Sequence, residues 1–119
     1  MERGRSTRKP GPGGSTVRPV PKRQGQIAAP RDYVVSGEWP HARLDTDQPG
    51  VAEAAVAQAL AARLAAAVGK RSMREVARAA GVAHTTVTKV AAGARWPELV
   101  TIARLERALD VDLWPGRGP

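Results

Sequence analysis

Cysteine and phenylalanine are absent from the 119 residues, and one tyrosine and three tryptophans supply all the aromatic surface. Without cysteine there is no disulfide framework, no thiolate nucleophile and no thiolate zinc site. Histidine is nearly as scarce. His41 and His84 lie far apart in the chain, and no His and carboxylate cluster has metal-ligand spacing, so no metal or other cofactor is expected. A glycine-rich phosphate loop and a nucleophile elbow are also missing. Catalysis is therefore not expected, and no small-molecule site is evident. No apolar run reaches the roughly 20 residues of a membrane span, and the basic N-terminus lacks the apolar stretch of a secretory signal. The expectation is a soluble chain with no membrane partner. Its Ala- and Arg-rich, Lys-poor composition points to a GC-rich bacterial genome or a phage of such a host.

Positive charge is plentiful, and it is unevenly placed. The formal net charge is +8, a sign that suits polyanionic partners. Residues 1–31 hold eight Lys or Arg against Glu2. Proline and glycine recur there, as in Pro10-Gly11-Pro12-Gly13-Gly14, and apolar surface is too scant to offset the entropy of ordering. The segment reads as a disordered basic tail, serving either as an arm along phosphates or as a solubilising extension. Residues 32–50 reverse the balance, with Arg43 against Asp32, Glu38, Asp45 and Asp47. The β-prone run Tyr33-Val34-Val35 precedes a Ser36-Gly37 turn signal, and Ala42-Arg43-Leu44 can return. This predicts an extended flap or small hairpin, with Tyr33 and Trp39 as its anchors.

Residues 51–115 carry helical periodicity, and 116–119 read as a flexible end. A first helix is predicted over about 51–68, where ten of eighteen residues are alanine, the strongest helix former. Val56, Leu60, Leu64 and Val68 make its apolar stripe. Asp47 and Pro49 fit its start, and Gly69 its end. A second helix follows Ser72, because Ser72-Met73-Arg74-Glu75 has the capping-box pattern. A third is predicted over about 84–92 and ends at Gly93. A fourth covers about 98–109, with Leu99, Ile102, Leu105 and Leu109 inward. Val111, Leu113 and Trp114 are expected to fold back over the core, and Trp96 to pack under the preceding loop.

Between the second and third helices the spacing is specific. Ala77 sits four residues before Gly81, Val82 follows the glycine, and Val87 and Val90 lie six and nine beyond it. Two short helices can cross steeply only if the crossing residue is small and the turn residue accepts an unusual backbone, which Ala77 and Gly81 provide. Val87 and Val90 then fix the third helix by its inner edge. Its outer edge, with Thr85, Thr88, Lys89 and Ala92, is left proud, at a size that enters a major groove about 12 Å wide.

On these residues the chain resembles the Cro/repressor-type helix-turn-helix proteins, also called the xenobiotic response element family. The matching stretches run from Arg74 to Val82, from Thr85 to Val90 with Gly93, and from Thr101 to Leu109 after Pro97. The resemblance implies an all-α, four-helix domain, here preceded by the basic tail and the flap, that binds double-stranded DNA as a small transcription regulator with its third helix in the major groove. It further implies that His84, Thr85, Thr88, Lys89 and Ala92 face base edges or nearby phosphates. Ser72 and Arg74 would lie near phosphates at the start of the second helix, and Arg95 just after the third. A homodimer and a cytoplasmic, nucleoid-associated location are further expectations. Alternative functions are an antitoxin-like or adaptor module built on the same domain, and sequence-independent binding through the tail. The chain departs from the family pattern at Met73, where many members have a phosphate-binding Gln, and at Ala83, where a Ser usually caps the third helix. Glu106 stands where Ala is usual, and a longer fifth helix used for dimerisation is missing.

Overall fold

The computed structural model describes residues 28–117. The disorder expected of residues 1–27 and of 118–119 lies outside the described residues. Residues 28–31 do not belong to a tail. Pro30–Tyr33 form a 3-10 turn in which Pro30 and Tyr33 are buried, and the Asp32 carboxylate accepts the Ala29 N–H at 3.1 Å. Backbone bonds to later parts of the chain, invisible to composition, hold this segment in place. β1 (Val34–Ser36) and β2 (Arg43–Leu44) follow as an antiparallel pair, with Val34 opposite Leu44 and an irregularity before Ser36.

Four helices complete the domain: α1 (Val51–Val68), α2 (Met73–Ala80), α3 (His84–Ala91) and α4 (Leu99–Leu109). α1 begins at Gly50, whose left-handed backbone makes the cap, so neither Asp47 nor Pro49 caps it. Tyr33 instead donates its hydroxyl to the Pro49 carbonyl at 3.2 Å. Gln58, the one polar uncharged side chain on α1, bonds both backbone groups of Ala42 at 2.8 and 3.2 Å. That amide pair fastens the hairpin to the helix.

Leu60, Leu64, Val76, Val87, Leu105 and Leu113 form the centre of the core, each at most 2% exposed. Complete burial of such side chains contributes about 1.5–3 kcal/mol apiece. Three expectations are corrected. The α1 stripe runs through Ala54, Ala57 and Ala61 beside its leucines, while Val56 is only half-buried, because the small residues allow the closest approach. Leu99 is 81% exposed, and Thr101 takes the inward place. Leu99 has the right spacing from Ile102, but it opens α4 ahead of the point where that helix meets α2. Of the three C-terminal apolar residues only Leu113 is inside, whereas Val111 and Trp114 are exposed. α1 also meets the length and hydropathy test for a membrane crossing, with a mean hydropathy of 1.5 over 18 residues. Glu53, Gln58 and Arg63 interrupt its apolar run in the sequence, and its leucines are buried in the core.

The unusual Glu106 explains the C-terminal arrangement. Its Oε2 accepts the backbone N–H groups of Leu113 at 2.7 Å and Trp114 at 3.0 Å. The chain is thereby pinned with Leu113 inward and the next side chain outward. Those two donors, Trp114 foremost, hold the Glu106 carboxyl below its ordinary pKa. A depressed pKa stabilises the fold above the unfolded-state value, and the contribution is lost as pH falls through the folded-state value. Glu106→Ala is therefore expected to be less stable than the native chain in urea at pH 7, with the difference shrinking as the solution is acidified below the ordinary carboxylate range. A difference independent of pH would show that the charge on Glu106 is irrelevant.

Candidate nucleic-acid interface

The bend between α2 and α3 is built as its residues require. Ser72 caps α2 reciprocally: its Oγ accepts the Glu75 N–H, and the Glu75 carboxylate accepts the Ser72 N–H, both at 3.0 Å. Such a cap is typically worth about 1 kcal/mol. Ala77 is buried at 3% exposure. Gly81 takes a left-handed backbone with φ 72° and ψ 33°, and the Val82 N–H bonds back to the Ala77 carbonyl at 3.0 Å. Arg104 on α4 donates to the Gly81 carbonyl at 3.1 Å, a brace on the turn that spacing alone did not reveal. Val87 and Val90 are buried, and Val82 packs half-buried against the same core.

α3 consequently presents its other edge to solvent. Thr85, Thr88, Lys89 and Ala92 are exposed, and His84 is half-exposed. His84 Nε2 and Thr88 Oγ1 are 3.4 Å apart, one turn from each other. Thr85 and Lys89 make no side-chain bond among the described residues, which leaves their polar atoms available. Arg95 is exposed and reaches Thr86 Oγ1 at 3.4 Å. Ser72 and Arg74 are exposed at the start of α2, the end where backbone N–H groups and the helix dipole favour an anion. No acidic residue occurs between Glu75 and Glu98, so α3 and the turns on either side of it contribute no negative side chain.

The departures at Met73 and Ala83 have structural counterparts. Met73 is half-buried and packs on the core, so its side chain is committed to packing. Ala83 stands at the N-cap of α3 without a side-chain bond. Among the described residues no group of three His, Asp or Glu could hold a metal.

The connection after α3 is held from the other end of the chain. The Arg31 N–H donates to the Gly93 carbonyl at 2.9 Å, and Trp39 Nε1–H donates to the Ala91 carbonyl at 3.1 Å. Trp96 Nε1–H donates to the Ala28 carbonyl at 2.8 Å, so Trp96 is a packing residue, as its sequence context predicts. Composition groups Arg31 with the tail, which conceals its place on this face. The scarcity of tryptophan was the available signal for the clasp, since a part-buried indole N–H needs an acceptor.

Residues 69–113 match the family of helix-turn-helix domains. No curated protein and no solved structure matches the chain.

Proposed function

Because residues 69–113 form a DNA-binding helix-turn-helix domain of the Cro/repressor type, we propose that the chain is a sequence-specific regulator of transcription whose α3 reads the major groove. One observation carries the proposal: α3 is fixed along one edge by Val87 and Val90 and bare along the other. Lys89 can reach the O6 and N7 acceptors of guanine, and the threonines can bond base edges or place a methyl against thymine. His84 at the start of α3 and Ala92 at its C-cap are assigned to the edges of the same contact. Ser72, Arg74 and Arg95 are assigned to phosphates, which set register without reading sequence. The chain would act in the bacterial cytoplasm on the nucleoid.

A homodimer belongs to the same proposal. Leu99 and Val100 open α4 directly after the connection from α3, and both are exposed despite being apolar. Two copies meeting there would present paired α3 helices, which need half-sites about 34 Å apart or a multiple of that. Selection of bound sequences from a pool of random duplexes tests the proposal. A palindromic motif with that spacing is the expected result, and a pool in which nothing is enriched overturns sequence-specific binding.

The adaptor function has one surface in its favour. Trp114, 53% exposed, borders an apolar groove of about 380 Å³ lined also by Val56, Leu60, Trp96 and Pro97. This groove involves none of the α3 residues assigned to DNA.

A further inference from the structure

The family match begins at residue 69, yet the last turn of α3 is completed from outside it. A helix leaves its final four carbonyls without a partner inside the helix. In α3 these belong to Thr88, Lys89, Val90 and Ala91. The turn that follows satisfies three of them. The N–H groups of Ala92, Ala94 and Gly93 donate to Thr88, Lys89 and Val90 at 3.0, 2.9 and 3.2 Å. The fourth carbonyl, that of Ala91, accepts Nε1–H of Trp39, a residue 52 positions away in sequence. The same indole lies against Gly93, which has no Cβ to hold it off.

α3 depends on such outside holds. It has eight residues, and an isolated helix shorter than about 12–15 residues is marginal in water. Ala83 gives its N-cap no side-chain bond. Val87 and Val90 fix its inner edge in the core, and Trp39 adds a fixed point at its C-terminal end. Lys89 and Ala92, both assigned to the groove, lie in the turn that this point closes. Trp39 is itself anchored. It stands on the connection between β1 and β2, where Gln58 of α1 bonds both backbone groups of Ala42. Tyr33, just ahead of β1, donates to the Pro49 carbonyl before α1. The hairpin thus runs from α1 to the end of α3.

We propose that Trp39 is a positioning residue for groove reading. Through its bond to Ala91 and its contact with Gly93, the hairpin sets the tilt of the last turn of α3, and with it the placement of Lys89. The proposal rests on α3 being the reading helix. It makes the hairpin, which lies outside the family match, a determinant of sequence preference. Trp39 acts through Lys89 and makes no DNA contact of its own.

The experiment uses the full chain. Trp39→Phe keeps an aromatic ring beside Gly93 and removes the N–H donor. Native, Trp39→Phe, Lys89→Ala and the double variant are titrated with the selected and a scrambled duplex at one salt concentration. Gln58→Ala frees the hairpin from α1 while leaving Trp39 and α3 unaltered. Glu106→Ala is the control for lost stability, since its bonds lie in the C-terminal segment. Amide hydrogen exchange follows the N–H groups of Ala92, Gly93 and Ala94.

Trp39→Phe should bind the selected duplex about 5-fold more weakly, the factor one net hydrogen bond is worth, and the scrambled duplex within about 2-fold of native. That loss should disappear in the Lys89→Ala background, because the two residues act as one unit. The three amides should exchange faster than in the native chain. Gln58→Ala should lose preference in the same direction, and Glu106→Ala should keep it. Native preference in Trp39→Phe, or in Gln58→Ala should the first variant prove unfolded, overturns the proposal and leaves α3 standing as the reading helix. So does a loss that persists undiminished beside Lys89→Ala, or one that Glu106→Ala reproduces, since either marks a general loosening of the fold. A native chain without preference for the selected duplex overturns the reading helix and, with it, this role of Trp39.

Discussion

Replacing Gly93 by alanine is expected to lower the free energy of unfolding by about 2–5 kcal/mol, two effects acting together. Gly93 has φ +74°, and an L-residue held in that region costs about 1–2 kcal/mol. Its added Cβ would also lie 2.6 Å from Cε2 and 2.8 Å from Cδ2 of Trp39. Relieving such overpacking typically costs a further 1–3 kcal/mol or so. Trp39 cannot move freely, because its Nε1–H is bonded to Ala91. Gly81 provides the control. Its φ is +72°, yet nothing lies within 4 Å of a Cβ placed there. Gly81→Ala should therefore cost only the backbone strain of about 1–2 kcal/mol. Urea denaturation of both variants decides the matter. Equal losses would mean that Trp39 is not held against Gly93. Adding Trp39→Ala to Gly93→Ala should recover part of the loss, since the two changes act at one point of packing.

Lys89→Ala and Thr85→Ala are each expected to weaken binding to the selected duplex by about 1–3 kcal/mol, some 5- to 150-fold, where the side chain touches a base. Binding to scrambled duplex should change much less. Stability should stay within about 0.5 kcal/mol, as is usual for exposed positions away from caps and core. Arg78 is exposed on α2 and is assigned no contact, so Arg78→Ala should leave the preference for the selected duplex intact. Titrations of labelled selected and scrambled duplexes measure all three variants. Equal losses on both duplexes would make Lys89 and Thr85 phosphate contacts instead.

The four helices were legible because their ends are chemically marked. Ser72 and Glu75 cap one another, and Gly69, Gly81 and Gly93 take the backbone that stops a helix. The crossing of α2 and α3 was legible because Ala77, Val87 and Val90 must all be inside. What the sequence hid is of two kinds. The clasp of Ala28 and Arg31 on the α3 exit uses backbone atoms, which every residue type carries, across more than sixty positions of sequence. Burial at element ends was also hidden. Leu99 and Ile102 have core spacing, but only the second lies where α4 meets other helices. Trp114 reads as core by type, yet the Glu106 carboxylate orients the backbone so that its neighbour Leu113 goes inside. The exposed edge of α3 was predictable by elimination from its buried one. Which exposed atoms touch bases is set by the DNA, whose sequence the chain does not encode.

The most direct test of groove reading couples one side chain to one base atom. In the selected duplex, each purine facing α3 is replaced by its 7-deaza analogue, which removes the N7 acceptor from the major groove and leaves pairing intact. If α3 reads the major groove through Lys89, at least one replacement should weaken binding of the native chain by about 1–3 kcal/mol. The same replacement should have no effect on Lys89→Ala, which has no ammonium group to donate to N7. Losses of equal size in both proteins, or no loss at any purine in the native chain, would contradict major-groove reading by Lys89.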